Sequence, residues 1–433
     1  MTTRPGRPSR PGRPGRTSRT SRAILANIVN DIMVEAPTEA YRRAMAAVTP
    51  RKLWQAHPGD CVVMLAPCSA VFRDYVASVI DLDVDRVEIV APPEVRGAHA
   101  LEVAADLGAL DRVAEREELL PFVLDAPVLE FARRRGVRLL PYGDPPDDAV
   151  VAALRLINTK RGFREVAAGL GLPVADGGHA ATVAELAERI GGFLGTREAV
   201  IIKTNRASNG FGNAVIRRDA ERTIEEQVHD AVAGQPLRGC GWVFEEFLPF
   251  TATPSMEMLV EDGGVTEFYT CDQRTVNNAW TGMVTPAREG PRHHALVVAA
   301  HAVGGWLRER GYRGIYDVDC GVHDGGYVVT EANVRRTGGT YLEELARRLR
   351  SGDSPVRWRA DVRHGAAGLD FAGAVAKLGA EGLSDPAAPA RAVLTADTLD
   401  VDGKWRYLVV GCDDDAVADA ESRLERILGI GIA

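Results

Sequence analysis

The segment from Gly311 to Gly339, GYRGIYDVDCGVHDGGYVVTEANVRRTGG, constrains this chain more than any other part of it. Two β-rich runs, 315–322 and 327–333, flank Asp324-Gly325-Gly326, which is a hairpin turn signal. With the turn centred on Gly325, Asp319 falls opposite Glu331 and Asp317 falls opposite Asn333. Residues two apart on a strand share a face, so all four side chains point the same way. Opposed Cβ atoms lie about 4.5–5.5 Å apart, and like charges there repel. Three carboxylates and an amide on one face therefore suit a cation, and an all-oxygen donor set suits Mg²⁺ or Mn²⁺ better than zinc. Magnesium usually shares its shell with substrate phosphates. Taken alone, the same face also fits a solvated hairpin surface. Arg335 and Arg336 just beyond it favour the metal reading, because guanidinium groups hold transferring phosphoryl or carboxylate groups.

The rest of the chain gives this hairpin a context. With 433 residues, 45% of them hydrophobic, there is enough material for two or three cores. The first 22 residues are Arg-, Pro- and Gly-rich, carry no acid, and are expected to be a disordered basic tail. Residues 23–150 alternate strand signals (62–66, 87–90, 137–140) with helical ones (98–107, 127–135), which predicts an α/β domain on a small parallel sheet. Residues 141–148 look like a linker. Helices are expected at 159–170, 183–194, 292–310 and 341–350. Between them lie strands at 199–203, 214–217 and 242–248, and a hairpin of 256–260 with 265–269. From 351 to 433 a strand at 407–410 and a helix at 416–428 read as a small α+β domain.

Lysine is scarce here, at positions 52, 160, 203, 377 and 404 only, so a lysine at a strand or helix end is less easily dismissed as filler. Lys203 ends the strand 199–203 and leads into the loop Asn205–Asn213, whose amides and glycines could fold over phosphates. Gly210-Phe211-Gly212 is not a dinucleotide-binding turn, because a strand rather than a helix follows it, and GxxxxGK[ST] is absent. Lys160 opens a helix. Glu245-Glu246-Phe247-Leu248 closes an apolar strand, where acids and backbone groups could read an adenine edge. Each of these, in isolation, also has an ordinary surface-charge reading.

Their order resembles the ATP-grasp superfamily. Near the metal site that family typically has Gly-x-x-Gly-x-x-x-x-Asp, then Glu-x-Asn-x-Arg; here stand Gly311, Gly314, Asp319, Glu331, Asn333 and Arg335. The resemblance covers about residues 151–345. It implies an α/β N-terminal (pre-ATP-grasp) domain at 23–150, an α+β ATP-grasp fold at 151–350 and a small α+β C-terminal domain at 351–433. It also implies that Lys160, Lys203, Asn209, Gly210 and Gly212 meet ATP phosphates, and that Glu245, Glu246 and Leu248 line the adenine. Asp319, Glu331 and Asn333 would carry Mg²⁺ (or Mn²⁺), Arg335 would stabilise an acyl-phosphate transition state, and Arg274 would hold substrate or phosphate. Arg206 and Asn209 in the loop, and the extra acid Asp317, depart from the pattern.

The whole-chain layout is similar to the pheganomycin-type peptide ligases, which activate an unusual amino acid at its carboxylate and join it to a peptide amine. That resemblance implies a carboxylate–amine ligase working through an acyl-phosphate, with release of ADP and phosphate. Its partners would be a small amino-acid-like carboxylate and an amine or peptide, and a homo-oligomer is compatible with it. Carboxylation, kinase-like phosphoryl transfer and a non-catalytic nucleotide-binding module are the competing readings. Outside the tail the chain is strongly acidic, which argues against nucleic acid. Six scattered cysteines without CxxC, no signal core and no long apolar run predict a cytoplasmic protein.

Overall fold

The computed structural model describes residues 20–34, 37–207, 210, 212–219, 221–233, 241–276, 279–288, 290, 293–350 and 356–431. Most of the expected basic tail lies outside these. Seventeen strands form three sheets among the described residues. The first sheet holds β1 (Arg22–Leu25), β2 (Cys61–Val63), β3 (Glu88–Val90), β4 (Glu118–Pro121) and β5 (Arg138–Leu139). It is parallel throughout, in the order β3-β2-β1-β4-β5. Its strands read as apolar runs because helices cover both faces. The expected strands at 62–66, 87–90 and 137–140 fall on β2, β3 and β5, and each is shorter than its apolar run. β1 and β4 lack clear turn signals around them, so the sequence does not mark them as strands.

The second sheet has β6 (Gly177–Ala180), β7 (Ala199–Thr204), β8 (Ala214–Arg217) and β9 (Trp242–Glu246), antiparallel in the order β6-β9-β7-β8. The Val183–Phe193 helix packs on it around Leu186, Ile190 and Phe244. The third sheet is the largest. It contains β10 (Pro254–Glu261), β11 (Gly264–Val276), β12 (Ala279–Thr285), β13 (Gly314–His323), β14 (Gly326–Asn333), β15 (Arg357–His364), β16 (Ala390–Ala396) and β17 (Lys404–Gly411). Their order is β14-β13-β10-β11-β12-β15-β17-β16.

That order ties the C-terminal residues to the central sheet. The residues beyond 351 are α+β as anticipated, but β15–β17 do not form a sheet of their own; β12 pairs with β15, so they prolong the central sheet. The core follows suit. Ile24, Trp54 and Phe72 of the N-terminal part share one hydrophobic cluster with Trp358, Trp405 and Leu424 of the C-terminal part. Trp54 Nε1 donates to the Thr395 carbonyl at 2.9 Å, and Leu394 N donates to the Tyr75 hydroxyl at 3.1 Å. Among the described residues no helix is long and apolar enough to cross a membrane.

Candidate active site

A cavity of about 450 Å³, within the range of small-molecule sites, opens between the second and third sheets. Its centre is the β13–β14 hairpin. Asp319 pairs with Glu331 and Asp317 with Asn333, as the sequence implied. The turn itself is tighter than expected, with His323 opposite Gly326; a β-bulge after Asp319 adds the one residue that restores the register of the acids. Strand order extends the polar face sideways. Ser255 of β10 stands beside Asp319 and opposite Cys271 of β11, while Glu257 stands beside Asp317.

The carboxylates have unlike environments. Burial raises Asp319 well above the carboxylate range, and the charges of Asp317 and Glu331 push it further. Burial, then Glu257, raises Asp317 to about 7. Burial also acts on Glu331, but Lys160, by charge and hydrogen bond, outweighs it, and with Arg335 and Lys203 holds Glu331 at about 2. Lys160 Nζ donates to Glu331 Oε2 at 2.9 Å and to the Ala207 carbonyl at 3.2 Å. It is delivered there by the first residue of the Lys160–Gly169 helix, which Thr159 caps by accepting from Gly162 N.

Asn333 lies between the acids. Its Nδ2 is 3.4 Å from both Asp319 Oδ2 and Glu331 Oε1, and its Oδ1 accepts from Arg335 at 2.5 Å. Among the described residues no three His, Cys, Asp or Glu side chains converge on a common metal position. The donor set still fits magnesium: two carboxylates and an amide, all hard ligands, are what a cation needs when phosphate oxygens complete its shell. For Asn333 to offer its oxygen the amide must turn over, which also releases Arg335.

At the other end Lys203, on β7, reaches across to Glu245 Oε2 on β9, and Arg164 donates to Glu245 Oε1 at 2.5 Å. Burial opposes ionisation of Glu245, but Lys203 and then Arg164 hold its carboxyl below the usual range. Glu246 pairs with Arg197, and Glu245, Glu246, Phe247 and Leu248 all line the cavity. So do Gly210 and Asn213 of the loop; Gly210 and Gly212 take left-handed backbone (φ 72° and 79°) that favours glycine. Asn209 lies outside the described residues. The root of this loop is anchored: Arg206 donates to the carbonyls of Asp31, Ile32 and Arg155, and Asn205 accepts from Lys160 N and Arg161 N.

Two residues change places relative to the sequence reading. Arg274 does not enter the cavity. It shares the opposite face of the sheet with Asp361 and Tyr407, and its guanidinium forks onto Glu421 at 2.5 and 2.9 Å. Its neighbour Gln273 faces the cavity instead and donates to Asp319 Oδ1. Strand alternation decides this, and the phase of β11 could have been read from Tyr269 and Cys271, which lie on the same face as Gln273. The expectation also missed Tyr269, Trp280 and Met283 in the lining. Arg335 lines the cavity, whereas Arg336 turns away to Glu344.

A parallel α/β domain leading into two facing antiparallel sheets, with the cavity between them, is the ATP-grasp fold. Residues 49–137 match the model of the pre-ATP-grasp domain. Among solved structures the chain is similar to N5-carboxyaminoimidazole ribonucleotide synthetase from Thermus thermophilus (TM-score 0.56, 16% identity, 94% of this chain and 98% of that one). The ADP complex of the N5-carboxyaminoimidazole synthetase from Staphylococcus aureus gives TM-score 0.58 at 12% identity, covering 94% and 97%. Biotin carboxylase from Campylobacter jejuni, in a beta-gamma-ATP complex, gives 0.58 at 14%, covering 94% and 91%. No curated protein matches by sequence.

Proposed function

We propose that this chain is an ATP-dependent carboxylate–amine ligase that forms an amide through an acyl-phosphate. One observation carries the reading: Lys160, Lys203, Arg335 and the Asp319–Glu331–Asn333 set all line a single cavity. A free carboxylate is a poor electrophile, and phosphorylation gives it a leaving group. On this reading Lys203 and the Gly210 loop hold phosphates, and Glu245 to Leu248 hold the adenine. Lys160, now on Glu331, moves to the phosphate as nucleotide arrives. Asp319, Glu331 and Asn333 would hold Mg²⁺, which when bound neutralises charge on the phosphates. Arg335 faces the transferring group and offsets the charge that develops on it. Walls on both sides exclude water from the activated acyl group.

The layout shared with pheganomycin-type peptide ligases supports an amino-acid-like carboxylate and a peptide amine as substrates, in the making of a peptide natural product. The test is ADP release that requires carboxylate and amine together. A carboxylation reading draws support from the names of the solved relatives, a carboxyaminoimidazole ribonucleotide synthetase and a biotin carboxylase. ADP release with bicarbonate and an amine, without any organic carboxylate, would favour it over ligation.

A further inference from the structure

Past the acids the cavity runs on toward β11, β12 and the first turn of the Gly338–Leu349 helix. There its lining is Tyr269, Thr275, Trp280, Met283, Thr337 and Gly338. The strand order β13-β10-β11-β12 puts this wall three strand steps from Asp319, or roughly 14 Å at ordinary strand spacing. Met283 stands opposite Gln273, whose amide reaches Asp319, so one lateral row of side chains joins the acids to the wall. Tyr269 Oη lies 3.8 Å from Met283 Sδ. The Trp280 indole lies beside Gly338, 3.9 Å from where a β-carbon on it would be. Gly339 is held to glycine by Tyr269, whose hydroxyl would be 1.8 Å from a β-carbon there.

Among the described residues at this end, no charged side chain lines the cavity. The nearby carboxylate, Glu257, is consumed. It is 1% exposed and accepts from Tyr269 Oη at 3.1 Å, from Thr337 Oγ1 at 2.6 Å and from Thr340 Oγ1. A charged substrate group entering here would lose water and gain no partner, whereas an apolar one gains contact with indole, thioether and phenol.

We infer that this end receives the side chain of the carboxylate substrate, and that the substrate class is an amino-acid-like carboxylate with a bulky, uncharged, apolar side chain. The inference rests on the ligase reading for which group is activated. With the reacting carboxyl beside Asp319 and Arg335, the roughly 14 Å across to Met283 leaves room for one large side chain.

The test titrates alanine, leucine, phenylalanine, aspartate and lysine into the full chain with a non-hydrolysable ATP analogue and Mg²⁺. Binding is read as the fluorescence change of wild type that is lost in Trp280→Phe. ADP release with ATP and glycinamide as common amine is read in parallel. Leucine and phenylalanine are expected to bind at least ~10-fold more tightly than aspartate or lysine, and to produce a signal dependent on Trp280. Aspartate or lysine binding as tightly as leucine overturns the inference, as does a leucine signal that Trp280→Phe leaves intact. Apolar binding without ADP release from any amine keeps this inference and removes the ligase reading. ADP release with a preference for charged side chains does the reverse.

Discussion

Lys203→Met separates the nucleotide contact from the structural one. In the ligand-free chain Lys203 is one of two cations on Glu245, whose side chain is 7% exposed; Arg164 is the other. Methionine keeps the apolar stem and removes one charge-assisted bond, worth about 1.5–3 kcal/mol, while Arg164 still satisfies the carboxylate. A loss of about 1–2 kcal/mol in stability is expected. If Lys203 also meets phosphate, a bond of that strength corresponds to a rise of about 10–100-fold in the KM for ATP. The same loss appears at equilibrium. ATP at about 100 times its Kd stabilises the folded chain by about 2.7 kcal/mol, and a roughly 30-fold weaker Kd cuts that to about 0.9 kcal/mol. Arg164→Met is the control, because Arg164 holds the same carboxylate but does not line the cavity. It should cost similar stability and leave the KM within about threefold. Thermal unfolding with and without MgATP, beside ADP-release kinetics, reads both. An equal rise in KM in the two variants would mean that Lys203 acts only through Glu245, and the phosphate role would be lost.

Glu331→Gln leaves Lys160, 11% exposed, with only the weaker amide and the Ala207 carbonyl, so stability should drop by about 1–3 kcal/mol and turnover by at least ~100-fold. Near-normal kcat at saturating Mg²⁺ would refute its assignment to the cation set. Burial raises the Glu257 carboxyl to about 7 against hydroxyl bonds from Thr337, Thr340 and Tyr269 and the charge of Arg336, with Asp317 as the facing acid. The unfolded chain ionises Glu257 near its ordinary 4.5, so its contribution is complete below that pH and is lost as pH rises through 7. Glu257→Gln should therefore flatten the pH dependence of unfolding between about 4.5 and 7, measured by denaturant titration; an unchanged slope counts against a buried neutral Glu257. Arg206→Met removes three bonds to the carbonyls of Asp31, Ile32 and Arg155, and amide exchange should quicken together at 31–33 and 205–207. Faster exchange at only one of the two segments would show that the clasp does not join them.

The hairpin was legible because its chemistry and its period agree: carboxylates at alternating positions with a glycine turn leave few registers. Even so, the pairing of Asp319 with Glu331 came from two offsetting departures, a tighter turn and a bulge, and the sequence contains no signal that separates them. Arg274 shows the opposite case. Charge and position suggested a site residue, but β11 alternates, and the cavity face passes to Gln273 on the neighbouring position. β12, with Trp280 and Met283, was not legible as a wall, because its role depends on the sheet order and on the approach of the Gly338–Leu349 helix. The run of β15 and β17 along β12 is also a long-range choice; the local pattern of those strands fits a separate sheet equally well.

That shared sheet bears on how the chain is made. During synthesis β12 emerges about seventy residues before β15, its partner, and until then presents an unpaired edge beside the cavity. Trp54, Phe72 and Tyr75 wait longer still for Phe371, Leu394 and Trp405 to cover them. Folding from the ribosome therefore cannot proceed unit by unit from the first domain to the last. The nascent chain carries an exposed aromatic cluster and an open strand edge until its last strands appear, and it is in that interval that it is most open to chaperones and to aggregation.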